Sequence, residues 1–202
     1  MNKKKETIDL SLILPCYNEG EHLAKSIPKI ISVLENSNNS YELILIDDKS
    51  TDNTTDLIKK INKKNPKIRT YFHDKNQGRG ATVVDGLRLA KGKIAGFIDV
   101  DLEVSPGYLP EIVDKLKDNN LDVIVGHRHY PFSFFPLNNL MRFLSTKIYS
   151  FIVKNILGLP IHDTESGYKF FKRRKILKVL PKIIDKHWFW DTEILARSHA
   201  EG

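Results

Sequence analysis

The stretch GFIDVDLE, residues 96–103, places three acids at every second position behind a short apolar run. These acids are Asp99, Asp101 and Glu103. In an extended segment, residues at i, i+2 and i+4 lie on one face, so the spacing predicts three like charges side by side. A hard divalent cation, Mg²⁺ or Mn²⁺, prefers oxygen ligands and would offset that repulsion. The stretch therefore predicts a metal site formed by Asp99, Asp101 and Glu103, with coordination positions left for phosphate oxygens.

Short apolar runs that alternate with helical patterns surround this stretch. Apolar runs predict strands over residues 9–15, 41–48, 68–73, 94–99 and 122–127. Helical periodicity predicts helices over residues 23–34, 52–64, 81–91, 106–117, 138–157 and 176–180, and a last helix from about 191. Such alternation favours an α/β fold with a mostly parallel sheet and right-handed crossovers. With 202 residues, 41% of them hydrophobic, we expect a single domain.

Polar clusters follow each predicted strand: PCYNEGE, DDKSTDNT, HDKNQGRGA, DVDLE and GHRHY. Ordinary turn chemistry or helix capping would explain any one of them. Ligands of open α/β sheets bind outside the carboxyl ends of the strands, and five clusters at that edge indicate a ligand site. Asp47 and Asp48 suit the polar edge of a base or ribose, and Tyr17 offers a ring to a base. A nucleoside diphosphate joined to a transferred group fits this layout.

The net charge of +7 suits nucleic acid, an anionic membrane or a phosphorylated small molecule, although dispersed lysines are also typical of a solvated surface. No apolar run reaches the roughly 18 residues of a spanning helix. A lone cysteine, Cys16, excludes an internal disulfide and favours a reducing compartment. The basic start is followed by a polar strand opening, so we expect no secretory signal and a cytoplasmic location.

Seven stretches in a fixed order resemble family 2 glycosyltransferases with the GT-A fold, in particular the polyprenyl-phosphate, dolichol-phosphate mannosyltransferase-like branch. They are PCYNE, IDDKSTDNT, NQGRGA, DVDLE, GHRHY, DTESGYKFFKR and FWDTEIL, and they span about residues 10–196. The resemblance implies a metal-dependent inverting enzyme. It would move mannose from GDP-mannose, or glucose from UDP-glucose, to a polyprenyl phosphate at the cytoplasmic face of a membrane, with no nucleic acid involved.

The resemblance also implies a nucleotide-sugar half over about residues 8–127, an acceptor half over about 128–202, and roles for single residues. The nucleotide would be held by Pro15, Tyr17, Glu19, Asp47, Asp48 and Asp99. The residues implied for catalysis are Asp101, Arg128 and Asp191, and those for the acceptor phosphate are Arg128, Arg142 and Lys169. Asp163, Ser166 and Gly167 match a DxxSGxK segment on the acceptor side, and Trp190 and Glu193 a motif near the sugar.

Four departures from the family pattern leave the donor sugar open, and one of them is Glu103, in place of a glutamine after DxD. Lys49 stands in place of a glycine, which would strain the turn if that position needs a positive φ. His127 replaces a serine, and Glu165 a frequent glutamine.

The acceptor also stays open, because a lipid phosphate is already anionic whereas a sugar hydroxyl would need a carboxylate base. Asp191 and Glu193 are the candidates for such a base, in a transferase that builds a surface polysaccharide. A non-catalytic nucleotide-sugar-binding module is a further alternative, disfavoured by the retained Asp99, Asp101 and Arg128.

The predicted helix 138–157 has two interpretations. Its apolar stripe is typical of a core helix. It would also suit an interfacial helix, with Phe132 to Phe135 near lipid and with Lys147 and Lys154 at phosphate headgroups. We expect the natural protein to continue beyond Gly202, because the last helical pattern breaks off there.

Overall fold

The protein is described from a computed structural model over residues 7–118, 120–127, 163–187 and 189–201. Within these ranges a single six-stranded sheet has the order β3-β2-β1-β4-β6-β5. The strands β1 to β4 are parallel to one another, whereas β6 is antiparallel to both β4 and β5. Their bounds are Leu10–Cys16 (β1), Tyr41–Asp47 (β2), Ile68–Phe72 (β3), Ile94–Ile98 (β4), Val123–Val125 (β5) and Tyr168–Lys172 (β6).

Helices cover both faces of the sheet, and each face has its own apolar core. Helices α1, α2 and α4 pack on one core, and α3, α5 and α6 contribute to the other. The first of them, α1, buries Leu23, Ile27, Ile30 and Leu34, the i, i+4, i+7 stripe of an amphipathic helix. The bounds are Gly20–Glu35 (α1), Thr54–Lys64 (α2), Arg79–Leu89 (α3), Leu109–Lys117 (α4), Arg173–Val179 (α5) and Trp190–Ala200 (α6). Short 3₁₀ turns cover Pro106–Tyr108 and Leu180–Lys182.

Burial on two faces explains why the central strands have nearly continuous apolar sequences. Along β1, Leu12 and Leu14 lie in one core while Ile13 lies in the other. Along β2, Leu45 lies in the first core and Ile46 in the second. Because successive side chains of a strand point to opposite faces, a strand covered on both sides needs apolar residues at every position. The expected α/β fold with a mostly parallel sheet is confirmed.

One strand, β6, was not predicted from the sequence, and it changes the edge of the sheet. It lies between β4 and the short β5, so β5 does not neighbour β4. Because β6 runs antiparallel, it begins at the edge where β4 ends, with Ile98 opposite Tyr168. The SG of the DxxSGxK segment therefore lies beside the end of β4.

Several predictions from the sequence fall outside the described residues. They are the roles of Arg128 and Arg142, the helix 138–157, the aromatic run 132–135, and the headgroup contacts of Lys147 and Lys154. In the part of the chain that is described, no helix is both long enough and apolar enough to cross a membrane.

Candidate functional site

The DVDLE stretch forms a turn at the carboxyl end of β4, which ends at Ile98. Leu102 has a φ of 58°, and its amide donates a hydrogen bond of 3.2 Å to the carbonyl of Asp99. Between them Val100 is buried in the core. The prediction that Asp99, Asp101 and Glu103 share one face of an extended segment is therefore wrong, because the chain turns directly after the strand.

Four charged side chains from four different elements meet beside this turn. Asp99 Oδ1 accepts hydrogen bonds from Arg79 Nε and Nη2, at 3.1 and 2.8 Å. At 2.6 Å, Arg79 Nη1 donates to Asp191 Oδ2. The other oxygen of Asp191 accepts from Lys169 Nζ at 2.5 Å. We call these residues the charge cluster: Asp99 follows β4, Arg79 begins α3, Asp191 lies in the first turn of α6, and Lys169 lies on β6.

Burial and pairing shift the pKa values of the charge cluster. Burial lowers the pKa of Lys169, whose side chain is fully buried, and the attraction of Asp191 only partly opposes this. Burial likewise raises the pKa of Asp99, against the attraction of Arg79. For Arg79 burial would lower the pKa, but Asp191 and Asp99 outweigh it and the pKa is raised. The guanidinium therefore stays charged and holds both carboxylates.

Aromatic rings form the apolar base of the charge cluster. The Phe97 ring lies 5.3 Å from both the Arg79 guanidinium carbon and Lys169 Nζ, within the range of a cation–π contact. Its centroid is also 5.4 Å from that of Trp190, in an edge-on arrangement. Gly80 makes room for Trp190, because a Cβ at residue 80 would lie 2.7 Å from the Trp190 Cβ. This packing fixes the start of α6 against the start of α3.

Gly167 allows the acceptor-side segment to approach the turn closely. A Cβ at residue 167 would lie only 1.7 Å from Asp99 Oδ2. The backbone is joined there as well, because Asp99 N donates to Gly167 O at 3.0 Å. Residue 167 must therefore be a glycine, because any side chain there would displace the Asp99 carboxylate.

The residues around this turn fit a hard divalent cation only in part. Among the described residues, no group of three or more His, Cys, Asp or Glu is arranged to hold a metal. The predicted three-carboxylate site of Asp99, Asp101 and Glu103 is therefore not preformed. Asp101 and Glu103 are exposed, and Asp99 is about a third exposed. Their carboxylate oxygens are the ligand type that Mg²⁺ and Mn²⁺ prefer, with further positions open to water and phosphate.

The loop after β1 is joined to the loop after β2 through Asn18. This residue has a φ of 56°, and its side-chain oxygen accepts from Thr51 N at 2.8 Å. Its own amide donates to Ser50 Oγ at 2.9 Å. The adjacent Tyr17 is 49% exposed, so its ring is accessible to a ligand, and Glu19 is half-buried beside it. Pro15, also half-buried, lies within β1.

Asp47 and Asp48 are both buried and both hold loops. One oxygen of Asp47 accepts from Ser50 N at 3.0 Å, and the other from the Thr55 hydroxyl. Asp48 accepts from Gln77 N and Gly78 N, at 2.8 and 2.9 Å. A third contact, of 2.7 Å, joins Asp48 to a ring nitrogen of His73.

Asp48, which we predict at the nucleotide, also has a structural role in this geometry. Its carboxylate is 4% exposed and is taken up by the loop between β3 and α3. It therefore positions that loop, which carries Arg79 at its end. The strain expected at Lys49 is present, because this residue has a φ of 65°.

Lys169 and Glu193, which the resemblance assigns to the acceptor and the sugar, both make contacts within the protein. Lys169, expected at the acceptor phosphate, is fully buried, and its ammonium is taken up by Asp191 and by the carbonyl of Ser166. Glu193 accepts from Ile184 N, Asp185 N and Arg197 Nε. In this arrangement Lys169 holds Asp191, and its contact with an acceptor phosphate stays a prediction.

Arg79 is the functional candidate that sequence reasoning missed. The signal was present in NQGRGA, where an arginine stands between two glycines at a helix start. Its partners lie 20 and 112 positions further along the chain, so only the fold reveals the pairing.

The sheet, with an acidic turn at the carboxyl end of β4 and loops from β1 and β2 beside it, has the GT-A glycosyltransferase fold. The chain belongs to glycosyl transferase family 2, whose family model matches residues 11–180. It is 26% identical over 197 residues to glycosyltransferase AglD of Haloferax volcanii, covering 96% of this chain and 31% of that protein. It is 30% identical over 213 residues to a dolichyl-phosphate beta-glucosyltransferase of Saccharomyces cerevisiae, covering 94% of this chain and 62% of the relative. The chain thus spans between about a third and three fifths of the length of these relatives.

Solved structures share the fold at low sequence identity. Glucosyl-3-phosphoglycerate synthase of Mycobacterium tuberculosis, in complex with Mn²⁺, UDP and glucosyl-3-phosphoglycerate, has a TM-score of 0.66 and 19% identity, covering 93% of this chain and 64% of that one. The mannosyltransferase PcManGT of Pyrobaculum calidifontis, in complex with GDP-Man and Mn²⁺, has a TM-score of 0.60 and 17% identity, covering 86% and 47%. Both of these solved structures contain Mn²⁺.

Proposed function

We propose that this chain is the catalytic domain of an inverting glycosyltransferase that moves a sugar from a nucleotide diphosphate sugar to a polyprenyl phosphate. The observation that carries the proposal is the meeting of the Asp99 turn, Gly167 and α6 at the carboxyl edge of the sheet. Donor-side and acceptor-side motifs are more than 60 residues apart in sequence, yet they touch there. Family membership and the dolichyl-phosphate relatives support the same reaction.

On the donor side, Asp101 would be the primary ligand of a divalent cation, and Asp99 and Glu103 would be the further carboxylates able to hold it. When bound, such a cation neutralises the charge that develops on the leaving diphosphate. The exposed ring of Tyr17 stacks on the base, and Pro15, Glu19 and Asp47 shape the pocket around it. Support comes from the position of all these residues at one edge of the sheet.

On the acceptor side, the proposal favours a phosphate over a sugar hydroxyl. A hydroxyl needs a carboxylate base, and the two candidates are engaged. Asp191 has one oxygen on Arg79 and the other on Lys169. Glu193 holds two backbone amides and Arg197; although burial would raise its pKa, these contacts hold the pKa below its ordinary range. A phosphate is already anionic and attacks without a base.

Arginines suit the binding of that phosphate, because their planar fork matches its oxygens. Arg128 and Arg142 remain our predicted contacts for it. A polyprenyl acceptor is a lipid, so the domain would work at the cytoplasmic face of a membrane. As first donor we propose UDP-glucose, supported by the name of the dolichyl-phosphate beta-glucosyltransferase of Saccharomyces cerevisiae, with GDP-mannose second.

The test is consumption of UDP-glucose and GDP-mannose by the purified protein with Mn²⁺ and a short polyprenyl phosphate. We expect turnover with one donor, its loss in EDTA, and a loss of at least about a hundredfold in Asp101→Ala. Asp118→Ala, which removes an exposed acid at the end of α4, is the matched control and keeps full activity. Full activity of Asp101→Ala, or of the wild type in EDTA, would overturn the metal-dependent reaction.

A further inference from the structure

The Asp99 carboxylate is confined at both of its oxygens. Oδ1 accepts two hydrogen bonds from Arg79, and Oδ2 lies against Gly167, where a Cβ would come within 1.7 Å. The Arg79 guanidinium thus occupies Asp99 Oδ1, an oxygen to which a divalent cation would bind. Three of the five N–H donors of an arginine are used in this way, two toward Asp99 and one toward Asp191.

The charge cluster balances its own charge. Two carboxylates, Asp99 and Asp191, face two cations, Arg79 and Lys169. Lys169 is fully buried, whereas the Arg79 side chain is 34% exposed. Arg79 is therefore the cation of the cluster that a ligand in solution can reach. A divalent cation that approaches Asp99 meets a like charge unless Arg79 gives way.

Arg79 can leave Asp99 without leaving the site. Its Nη1 is held at 2.6 Å by Asp191, which is in turn fixed by Lys169 at 2.5 Å. The Nε–Nη2 edge is the part bonded to Asp99, and this edge has the fork geometry that binds phosphate oxygens. Release of Asp99 would turn a donor pair toward the same region that the cation enters.

We propose that Arg79 is an internal counterion that a divalent cation displaces from Asp99, and that its freed Nε–Nη2 edge then binds the donor diphosphate. The second half rests on the proposed function, and the first half does not. Metal alone binds weakly because it competes with Arg79. Metal and diphosphate together bind well, because each cation then has an anionic partner. Arg79 is thus a donor-site residue that couples the two ligands.

The test measures binding and not turnover. Mn²⁺ binding to the nucleotide-free protein is followed by the electron paramagnetic resonance of free Mn²⁺, and binding of UDP and GDP in saturating Mn²⁺ by calorimetry. We expect Arg79→Gln to bind Mn²⁺ about threefold to tenfold more tightly than wild type, and the nucleoside diphosphate about tenfold more weakly. A merely structural role would weaken both.

Two further variants separate the causes. Arg88→Gln removes an exposed arginine of the same helix, paired with Asp85 at 3.0 Å, and should change neither affinity. Arg79→Lys keeps the charge but loses the fork, so it should bind Mn²⁺ about as wild type does and the nucleoside diphosphate more weakly. If circular dichroism shows that Arg79→Gln is unfolded, Arg79→Met, which also removes the charge, provides the Mn²⁺ test.

The inference is overturned if the folded variant without the charge, Arg79→Gln or Arg79→Met, binds Mn²⁺ as wild type does or more weakly. It is also overturned if Arg79→Gln binds the diphosphate with unchanged affinity. A wild-type protein that binds neither UDP nor GDP with Mn²⁺ present would contradict the proposed function instead, while the Mn²⁺ arm would still decide the counterion.

Discussion

Replacing Lys169 by methionine should destabilise the protein strongly, because its buried ammonium is the partner of the Asp191 carboxylate and of the Ser166 carbonyl. The side chain is fully buried, with Nζ at 2.5 Å from both Asp191 Oδ1 and Ser166 O. Methionine fills most of the same volume, so the loss is mainly electrostatic. Removing one partner of a buried ion pair costs about 3–5 kcal/mol, because an uncompensated charge remains. Here Asp191 keeps Arg79 as a partner, so we expect about 3 kcal/mol.

The free energy of unfolding is measured by urea denaturation, followed by circular dichroism. For a domain of this size, about 3 kcal/mol corresponds to a fall in melting temperature of about 6–12 °C. Lys115→Met is the matched control, because Lys115 forms an exposed pair with Glu111 at 2.7 Å. Exposed pairs contribute less than about 1 kcal/mol.

A double variant tests whether the loss arises from the pair itself. Lys169→Met combined with Asp191→Leu removes both charges, so it should cost clearly less than the sum of the two single changes. The reasoning is refuted if Lys169→Met loses no more stability than Lys115→Met, or if the single losses simply add.

Three further predictions concern a buried carboxylate, a glycine and a strained turn. Burial would raise the pKa of Glu42, but its hydrogen bonds, including one from Arg69, outweigh burial and hold the pKa below the ordinary 4.5. This carboxylate therefore stabilises the fold above about pH 4.5. The stabilisation decreases as the pH falls through the lowered pKa, so Glu42→Gln should cost about 2 kcal/mol at pH 7 and progressively less as the pH is lowered below 4.5, measured by urea unfolding; a loss that does not change with pH would contradict this. Gly167→Ala should fold but bind Mn²⁺ at least about tenfold more weakly, because its Cβ displaces Asp99; unchanged Mn²⁺ resonance titrations would refute it. Lys49→Gly should raise the free energy of unfolding by about 1 kcal/mol, because Lys49 has a φ of 65°, and a loss of stability would argue against strain there.

The fold could be predicted from the sequence because its signals are local. The apolar runs of β1 and β2 and the stripe of α1 each reveal themselves within about ten residues, and their bounds agree with the structure to within three residues. The strand β6 could not be predicted in the same way. Its sequence, YKFFK, combines charged and aromatic residues and has no clear strand pattern. A lysine is ordinarily expected at the surface, whereas Lys169 is fully buried against Asp191.

The site could be predicted only as a set of loops. The polar clusters that follow β1 to β4 were correctly predicted to lie at one edge of the sheet, since parallel strands impose that geometry. Which partner each acid takes depends on contacts across the sequence. Asp48 turned out to hold the Gln77 and Gly78 amides, and Asp99 to hold Arg79, because folding brings donors from distant segments to these carboxylates.

The most direct test of the central claim follows the sugar to its acceptor. The purified protein, with Mn²⁺, is given radiolabelled UDP-glucose or GDP-mannose and two acceptors together, a short polyprenyl phosphate and a sugar with free hydroxyls. The reaction products are separated by extraction and chromatography. The account predicts label on the polyprenyl phosphate, joined through a phosphodiester of inverted anomeric configuration, and none on the hydroxyl sugar. Label only on the hydroxyl sugar would contradict it.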